Sequence, residues 1–189
     1  MAPSDQADDL RDLLVRDESG SGRISDVIIR RLQVNRDPRG TLTELLRADW
    51  VEVLNETLPF AQVYTSTTAP GIARDEGHWH VHQQQTDRFY CLVGTFVLAI
   101  ADTRPASSTR GELLLIELAA ADDAPAPLLV TVPPNTLHGF VVTSDGPATL
   151  LNFPNRLYDP ADEGRVPFAE AAVTDPSGQP FSWDAVRSL

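Results

Sequence analysis

From Val27 onward, apolar and polar positions alternate in short runs broken by turn residues, the period-two pattern of half-buried strands. Val27–Val34, Thr41–Leu46, Phe60–Thr65, Arg88–Val93 and Thr95–Ala101 read as strands. So do Glu112–Leu118, Leu128–Val132, Gly139–Thr143 and Ala148–Phe153. These runs are rich in β-branched and aromatic residues. Gly94 marks a turn between two of them and Asp145-Gly146-Pro147 marks another. Short strands with no long amphipathic helix between them predict an all-β sandwich or barrel of the jelly-roll kind.

Both ends depart from this pattern. Residues 1–25 are acidic and polar and end in Glu18-Ser19-Gly20-Ser21-Gly22, a flexible linker by composition. Leu10, Leu13 and Leu14 share a face of a short helix over about Ala7–Val15. After Tyr158-Asp159-Pro160 the chain turns loop-like, with a helical stretch near Phe168–Val173. The expected division is a flexible acidic N-terminal extension (1–25), a β-barrel (26–158) and a C-terminal extension packing on it (159–189).

Composition narrows the partners. The 189 residues amount to one domain, and 15 Lys and Arg against 27 Asp and Glu give a net charge of -12. Nucleic acid and anionic membranes call for a basic surface, so neither is an expected partner. No run of 18 apolar residues offers a membrane span, and the start lacks the basic and apolar regions of a signal peptide. The single cysteine, Cys91, excludes an intrachain disulfide framework and reads as a core or interface thiol, so a cytoplasmic location is expected.

The chain has four histidines: His78, His80, His82 and His138. Alternate residues of a strand share a face, so the first three project one way and Trp79 the other, onto a face open to a dimer contact. Imidazoles aimed into a barrel are costly to desolvate unless hydrogen-bonded or bound to a cation. Asp87 follows on the next strand, and His138 opens another after a Pro-Pro-Asn turn.

These residues resemble the motifs of the cupin superfamily. His80-Val81-His82, four residues, Asp87, six residues and Gly94 match its first motif, with Asp for the usual Glu; Pro133, Asn135 and His138 match its second, with Asn for Gly. Asn also adopts the left-handed turn conformation. The resemblance implies a cupin jelly-roll barrel with short helical N- and C-terminal extensions. It also implies a divalent metal ion (Zn, Fe, Mn or Ni) on His80, His82, Asp87 and His138.

A second resemblance spans roughly Val27 to Trp183. Asp37-Pro38-Arg39-Gly40 with Glu44, Phe60-Ala61-Gln62, Gly94, Asp102-Thr103-Arg104, Ser107-Ser108-Thr109, Gly111, Pro133, His138-Gly139-Phe140, Tyr158-Asp159-Pro160, Glu163-Gly164 and Trp183 together resemble the dTDP-4-dehydrorhamnose 3,5-epimerase family. That family implies proton abstraction beside a sugar ketone by a His–Asp pair, with a Tyr as opposing acid and a Lys near the enolate oxygen. The base falls on His80 or His78, since the local loop length leaves the register open. Counting from Glu163-Gly164 places the carboxylate at Glu170. The Tyr position falls on Asn152 and the Lys position on Asp87, so the usual double epimerisation is not expected. A metal in place of the lost lysine would stabilise the enolate. The His-Trp-His run also resembles the zinc-binding cupin portion of certain bifunctional capsule-sugar reductases.

The expectation is therefore a metal-dependent cupin enzyme, an isomerase or epimerase of a nucleotide-linked keto sugar or related carbonyl compound. His78 or Glu170 would move the proton, and Arg39, Arg74 and Asn152 would bind the small-molecule substrate. A metal-dependent oxygenase and a non-catalytic metal- or sugar-binding cupin stand as alternatives. The family's barrels pair through their sheets, which implies a homodimer.

Overall fold

The computed structural model describes residues 9–122 and 126–189. In chain order its strands are β1 (Leu14–Val15), β2 (Ile28–Arg31), β3 (Val34–Asp37), β4 (Gly40–Thr43), β5 (Tyr64–Thr68), β6 (His78–His82) and β7 (Asp87–Val93). Then follow β8 (Thr95–Ala101), β9 (Leu113–Ala119), β10 (Leu128–Val132), β11 (Leu137–Val142), β12 (Ala148–Asn152) and β13 (Glu163–Pro167). Two short helices close the chain, α1 (Phe168–Ala171) and α2 (Trp183–Arg187). One sheet runs β1-β9-β8-β11-β6-β13 and the other β2-β10-β7-β12-β5, while β3 and β4 form a separate hairpin. The expected jelly-roll architecture is what the chain adopts. Among the described residues no helix is long and apolar enough to cross a membrane.

Alternation along each strand sorts side chains between three apolar layers. Phe89 and Cys91 of β7, Phe96 and Leu98 of β8, Leu114 and Ile116 of β9 and Phe140 of β11 meet between the sheets. Their odd-numbered or even-numbered neighbours face outward into two further clusters. The central strands β8 and β10 therefore read as nearly unbroken apolar runs, because both of their faces are covered.

The covers come from segments that composition marks as polar. Residues 9–11 form a helical turn, while residues 7 and 8 of the expected helix lie outside the described residues. Leu10 packs with Trp79, Phe181 and Trp183 on the outside of the six-stranded sheet, and β1 pairs in parallel with β9. Nor is the Gly-Ser stretch an open tether. Asp17 caps a 3₁₀ turn over Glu18–Gly20, and Gly20 is buried between Val15, Ile29 and Leu114, where a larger residue would collide. Trp79 is likewise fully buried under the chain's own C-terminal segment, 4.5 Å from Phe181 between ring centroids, so it forms no dimer face. At the far end the barrel wall continues past 158, because β13 pairs along all of β6.

On the outside of the five-stranded sheet, Arg88 is wholly buried and donates to the carbonyls of Val53, Leu58 and Phe153. It anchors the irregular segment 44–59, where Leu45, Leu46 and Trp50 pack against the sheet instead of pairing. That packing ends the expected Thr41–Leu46 strand at Thr43. The Ser107-Ser108-Thr109 cluster is structural too: Ser107 and Thr109 donate to the buried Asp102, which Arg104 also holds. These contacts keep Asp102 below the usual carboxylate range, although burial opposes them.

Gly94 joins β7 to β8 with φ +73°, and a Cβ there would lie 2.8 Å from the Pro147 carbonyl oxygen. Left-handed strain and backbone overlap together set the cost of Gly94→Ala at about 3 kcal/mol. A thermal melt should show a midpoint lower by roughly 5–10 °C; an unchanged midpoint would refute the close approach.

Candidate active site

A cavity of about 420 Å³ opens at one end of the space between the sheets. From the six-stranded sheet it receives His80 and His82 of β6, His138 of β11, and Glu163 and Arg165 of β13. Asp87 and Phe89 of β7 and Tyr64 and Ser66 of β5 face them from the other sheet, with Arg74, Asp75 and Gln85 supplied by loops. Strand registry gathers these groups. His138 lies directly across from His80, with ring centroids 5.2 Å apart, while Glu163 pairs with His82 and Arg165 with His80. Asn135 takes the expected left-handed conformation at φ 61°, and its side chain donates to Gln83, locking the turn before His138 to the turn after β6.

The inner wall centres on Asp87, which is almost wholly buried. Its Oδ1 accepts from the amides of Gln85 and Asn152, both at 2.8 Å. Its Oδ2 faces His138 Nε2 at 3.5 Å and His82 Nε2 at 3.7 Å. Burial alone would raise this carboxyl, yet the attraction of His138 and His82 and the Asn152 hydrogen bond hold it below the usual range. His138 is oriented by its Nδ1, which donates to the Thr136 carbonyl at 3.1 Å and leaves Nε2 buried without a hydrogen-bond partner. Asp162 latches the β6–β7 turn by accepting from the backbone N–H groups of Gln83, Gln84 and Gln85, and it faces His82 Nδ1 at 3.6 Å.

His80 differs from its neighbours. Its Nε2 lies 3.1 Å from His82 Nε2, and its Nδ1 lies 3.9 Å from both Asp75 and Glu163. Arg165 bridges those two carboxylates at 2.8 Å each. Burial, reinforced by His138 and His82, lowers the His80 pKa to about 4, so the ring is neutral at pH 7. Across the cavity, burial and the Asp87 charge raise the Tyr64 phenol, which stays protonated.

The four residues expected as metal ligands are thus brought together, but as a hydrogen-bonded cluster with Gln85 between His82 and Asp87. Among the described residues no group of three or more His, Cys, Asp or Glu side chains is arranged to hold a metal ion. Arg74 lines the cavity, and Asn152 stands behind Asp87 as its donor. Three expected residues are not brought in. His78 shares the face of His80 but lies exposed at the strand's start, its Nδ1 near the Glu76 carbonyl. Glu170 is exposed on α1, because β13 runs on to Pro167 and brings Glu163, not Glu170, beside His80. Arg39 is 89% exposed on the β3–β4 hairpin and paired with Asp37.

Sequence reasoning missed Tyr64, Asp75, Gln85, Asp162 and Arg165. Arg165 and Glu163 follow from pairing β13 with β6, which local spacing does not reveal. Gln85 is the third glutamine of a run in which nothing local tells which side chain turns inward.

The fold and the cavity together define a cupin-type jelly roll with an imidazole-lined site. The chain belongs to the dTDP-4-dehydrorhamnose 3,5-epimerase family, whose model matches residues 21–176. It is 38% identical over 148 residues to the probable low-salt glycan biosynthesis epimerase Agl13 of Haloferax volcanii, covering 77% of this chain and 88% of that one. It is 29% identical over 163 residues to the spore coat polysaccharide biosynthesis protein SpsL of Bacillus subtilis, covering 85% of this chain and 97% of that one. Among solved structures, NovW, a 4-keto-6-deoxy sugar epimerase of Streptomyces spheroides, superposes with a TM-score of 0.67 at 28% identity, covering 84% of this chain and 79% of that one.

Asp162→Ala removes three hydrogen bonds to a buried carboxylate and frees the turn that positions Gln85. Urea denaturation should report a loss of about 3 kcal/mol; a loss below 1 kcal/mol would mean that the turn holds without its latch.

Proposed function

We propose that this chain is an isomerase or epimerase of thymidine-diphosphate-linked keto sugars and that it works by proton transfer beside the ketone. The observation that carries the reading is His80, a neutral imidazole inside the cavity with carboxylates at its Nδ1 side. His80 removes the proton from the carbon next to the ketone, and the electron pair moves to the carbonyl oxygen as an enolate. Asp75 and Glu163 favour the imidazolium as it forms. Arg74 enters no ion pair with another described residue and supplies positive charge for the diphosphate or the enolate. The sequence resemblance sets Asp87 at the family's lysine position, so charge stabilisation does not come from that position. The named activities of Agl13 and NovW agree with this chemistry. The oxygenase alternative draws no support from these relatives. A cytoplasmic homodimer remains part of the proposal.

A second reading, the divalent metal, has one observation in its favour. His138 Nε2 is buried without a hydrogen-bond partner and faces Asp87 Oδ2, with His80 Nε2 and His82 Nε2 3.1 Å from each other. Imidazole nitrogens and a carboxylate suit Zn, Fe, Mn or Ni, which would supply Lewis acidity at the ketone. Against it stands the Gln85 amide, which occupies the space between His82 and Asp87.

Proton NMR in D2O with dTDP-4-keto-6-deoxyglucose should show deuterium entering a carbon beside the ketone. His80→Asn should slow this about 10²–10⁴-fold; a chain that binds the nucleotide sugar and exchanges nothing is a binding module. Because neutral His80 is the active form, kcat/KM should fall on acidification only near pH 4. A limb near pH 6.5 would assign the base to an unperturbed imidazole. Elemental analysis of untagged protein separates the two readings: full activity without metal ends the second, and stoichiometric metal required for activity establishes it.

A further inference from the structure

The reaction proposed above calls for a proton donor on the face opposite His80, and Asn152, which stands behind Asp87 on the other sheet, cannot ionise to serve as one. The strand register shows what stands beside the gap. Asn152 of β12 lies directly across from Tyr64 of β5, and its amide donates to the Tyr64 hydroxyl at 2.9 Å. We propose that Tyr64 is the catalytic acid that returns a proton to the substrate on the face opposite His80, a role that rests on the isomerase reading above.

Three features support the assignment. First, β5 and β6 belong to opposite sheets, and Tyr64 and His80 both line the cavity, so base and acid approach from opposite walls. Second, Asn152 acts as a fixture: its amide donates to Tyr64 and to Asp87, and its carbonyl accepts from the Arg88 backbone. Because the phenol oxygen accepts at that contact, its own O–H is left to donate to a substrate. Third, the other tyrosine of the cavity is poorly placed. The Tyr158 hydroxyl donates to Glu163, on the strand paired with the one that carries His80.

The step balances. His80 takes the proton from carbon, and the electrons move onto the ketone oxygen. The Tyr64 O–H then protonates the same carbon from the other side as the enolate electrons return, which restores the ketone and leaves a phenolate. Proton exchange with solvent resets imidazolium and phenolate. Configuration inverts with no net change in composition.

The test compares wild type, Tyr64→Phe and Tyr158→Phe on dTDP-4-keto-6-deoxyglucose in D2O, following deuterium entry and inversion separately by NMR. Tyr64→Phe should lose inversion by 10²-fold or more yet keep deuterium entry with retained configuration, because His80 still removes and returns protons on its own side. Retained exchange also shows that the variant is folded. Tyr158→Phe should invert at a rate within a few-fold of wild type. Tyr64→Phe that inverts normally, or that loses exchange along with inversion, overturns the assignment. So does loss of inversion in Tyr158→Phe alone. A wild-type chain that neither exchanges nor inverts fails the isomerase reading itself, an outcome distinct from all of these.

Discussion

One buried negative charge organises the functional end of this barrel. Asp87 opens β7 facing inward, and a carboxylate in that position is tolerable only if every lone pair meets a donor or a positive charge. Gln85 and Asn152 serve one oxygen, and the His82 and His138 rings face the other. Each partner is constrained in turn: Gln85 by the turn that Asp162 latches, His138 by the Thr136 carbonyl, and Asn152 by the Arg88 backbone. The cavity wall is the outer surface of that solved electrostatic problem.

The site divides along the two sheets. The six-stranded sheet contributes imidazoles, with the Asp75–Arg165–Glu163 bridge behind His80, and the five-stranded sheet contributes Asp87, Tyr64 and the apolar floor of Phe89 and Leu150. Burial keeps His80 uncharged despite two nearby carboxylates, because the neighbouring rings and the loss of water outweigh them. A base without a resting charge and an acid that keeps its proton suit chemistry in which a proton leaves one face of a carbon and arrives at the other.

Periodicity made most of the barrel legible. The runs 95–101, 128–132 and 148–153 fall on β8, β10 and β12 almost to the residue, because strand alternation is a local property. The spacing of His80, His82, Asp87 and His138 likewise placed all four in one cavity. Residues whose position depends on long-range pairing stayed hidden. Counting along the chain pointed to Glu170, but β13 pairs with β6 and brings Glu163 inward instead. Tyr64 sits in a stretch whose strand begins later than its composition suggests, and its meaning comes only from lying across from Asn152. The N-terminal residues read as polar and loose because their buried apolar side chains, Leu10 and Ile24, are too widely spaced to stand out against an acidic background.

Arg88 carries a consequence for anyone redesigning this protein. Its peptide neighbours Asp87, and its backbone bonds to Asn152 and Phe153, yet its guanidinium reaches the opposite side of the sheet to grip the 53–59 segment. That segment looks on the surface like a permissive place for a peptide insertion or a graft. It is in fact fastened to the same dipeptide whose other half faces the cavity. Lengthening it would pull on the buried Arg88 side chain and, through one peptide unit, on Asp87 in the cavity wall, so insertions belong elsewhere, on the β3–β4 hairpin that stands outside both sheets.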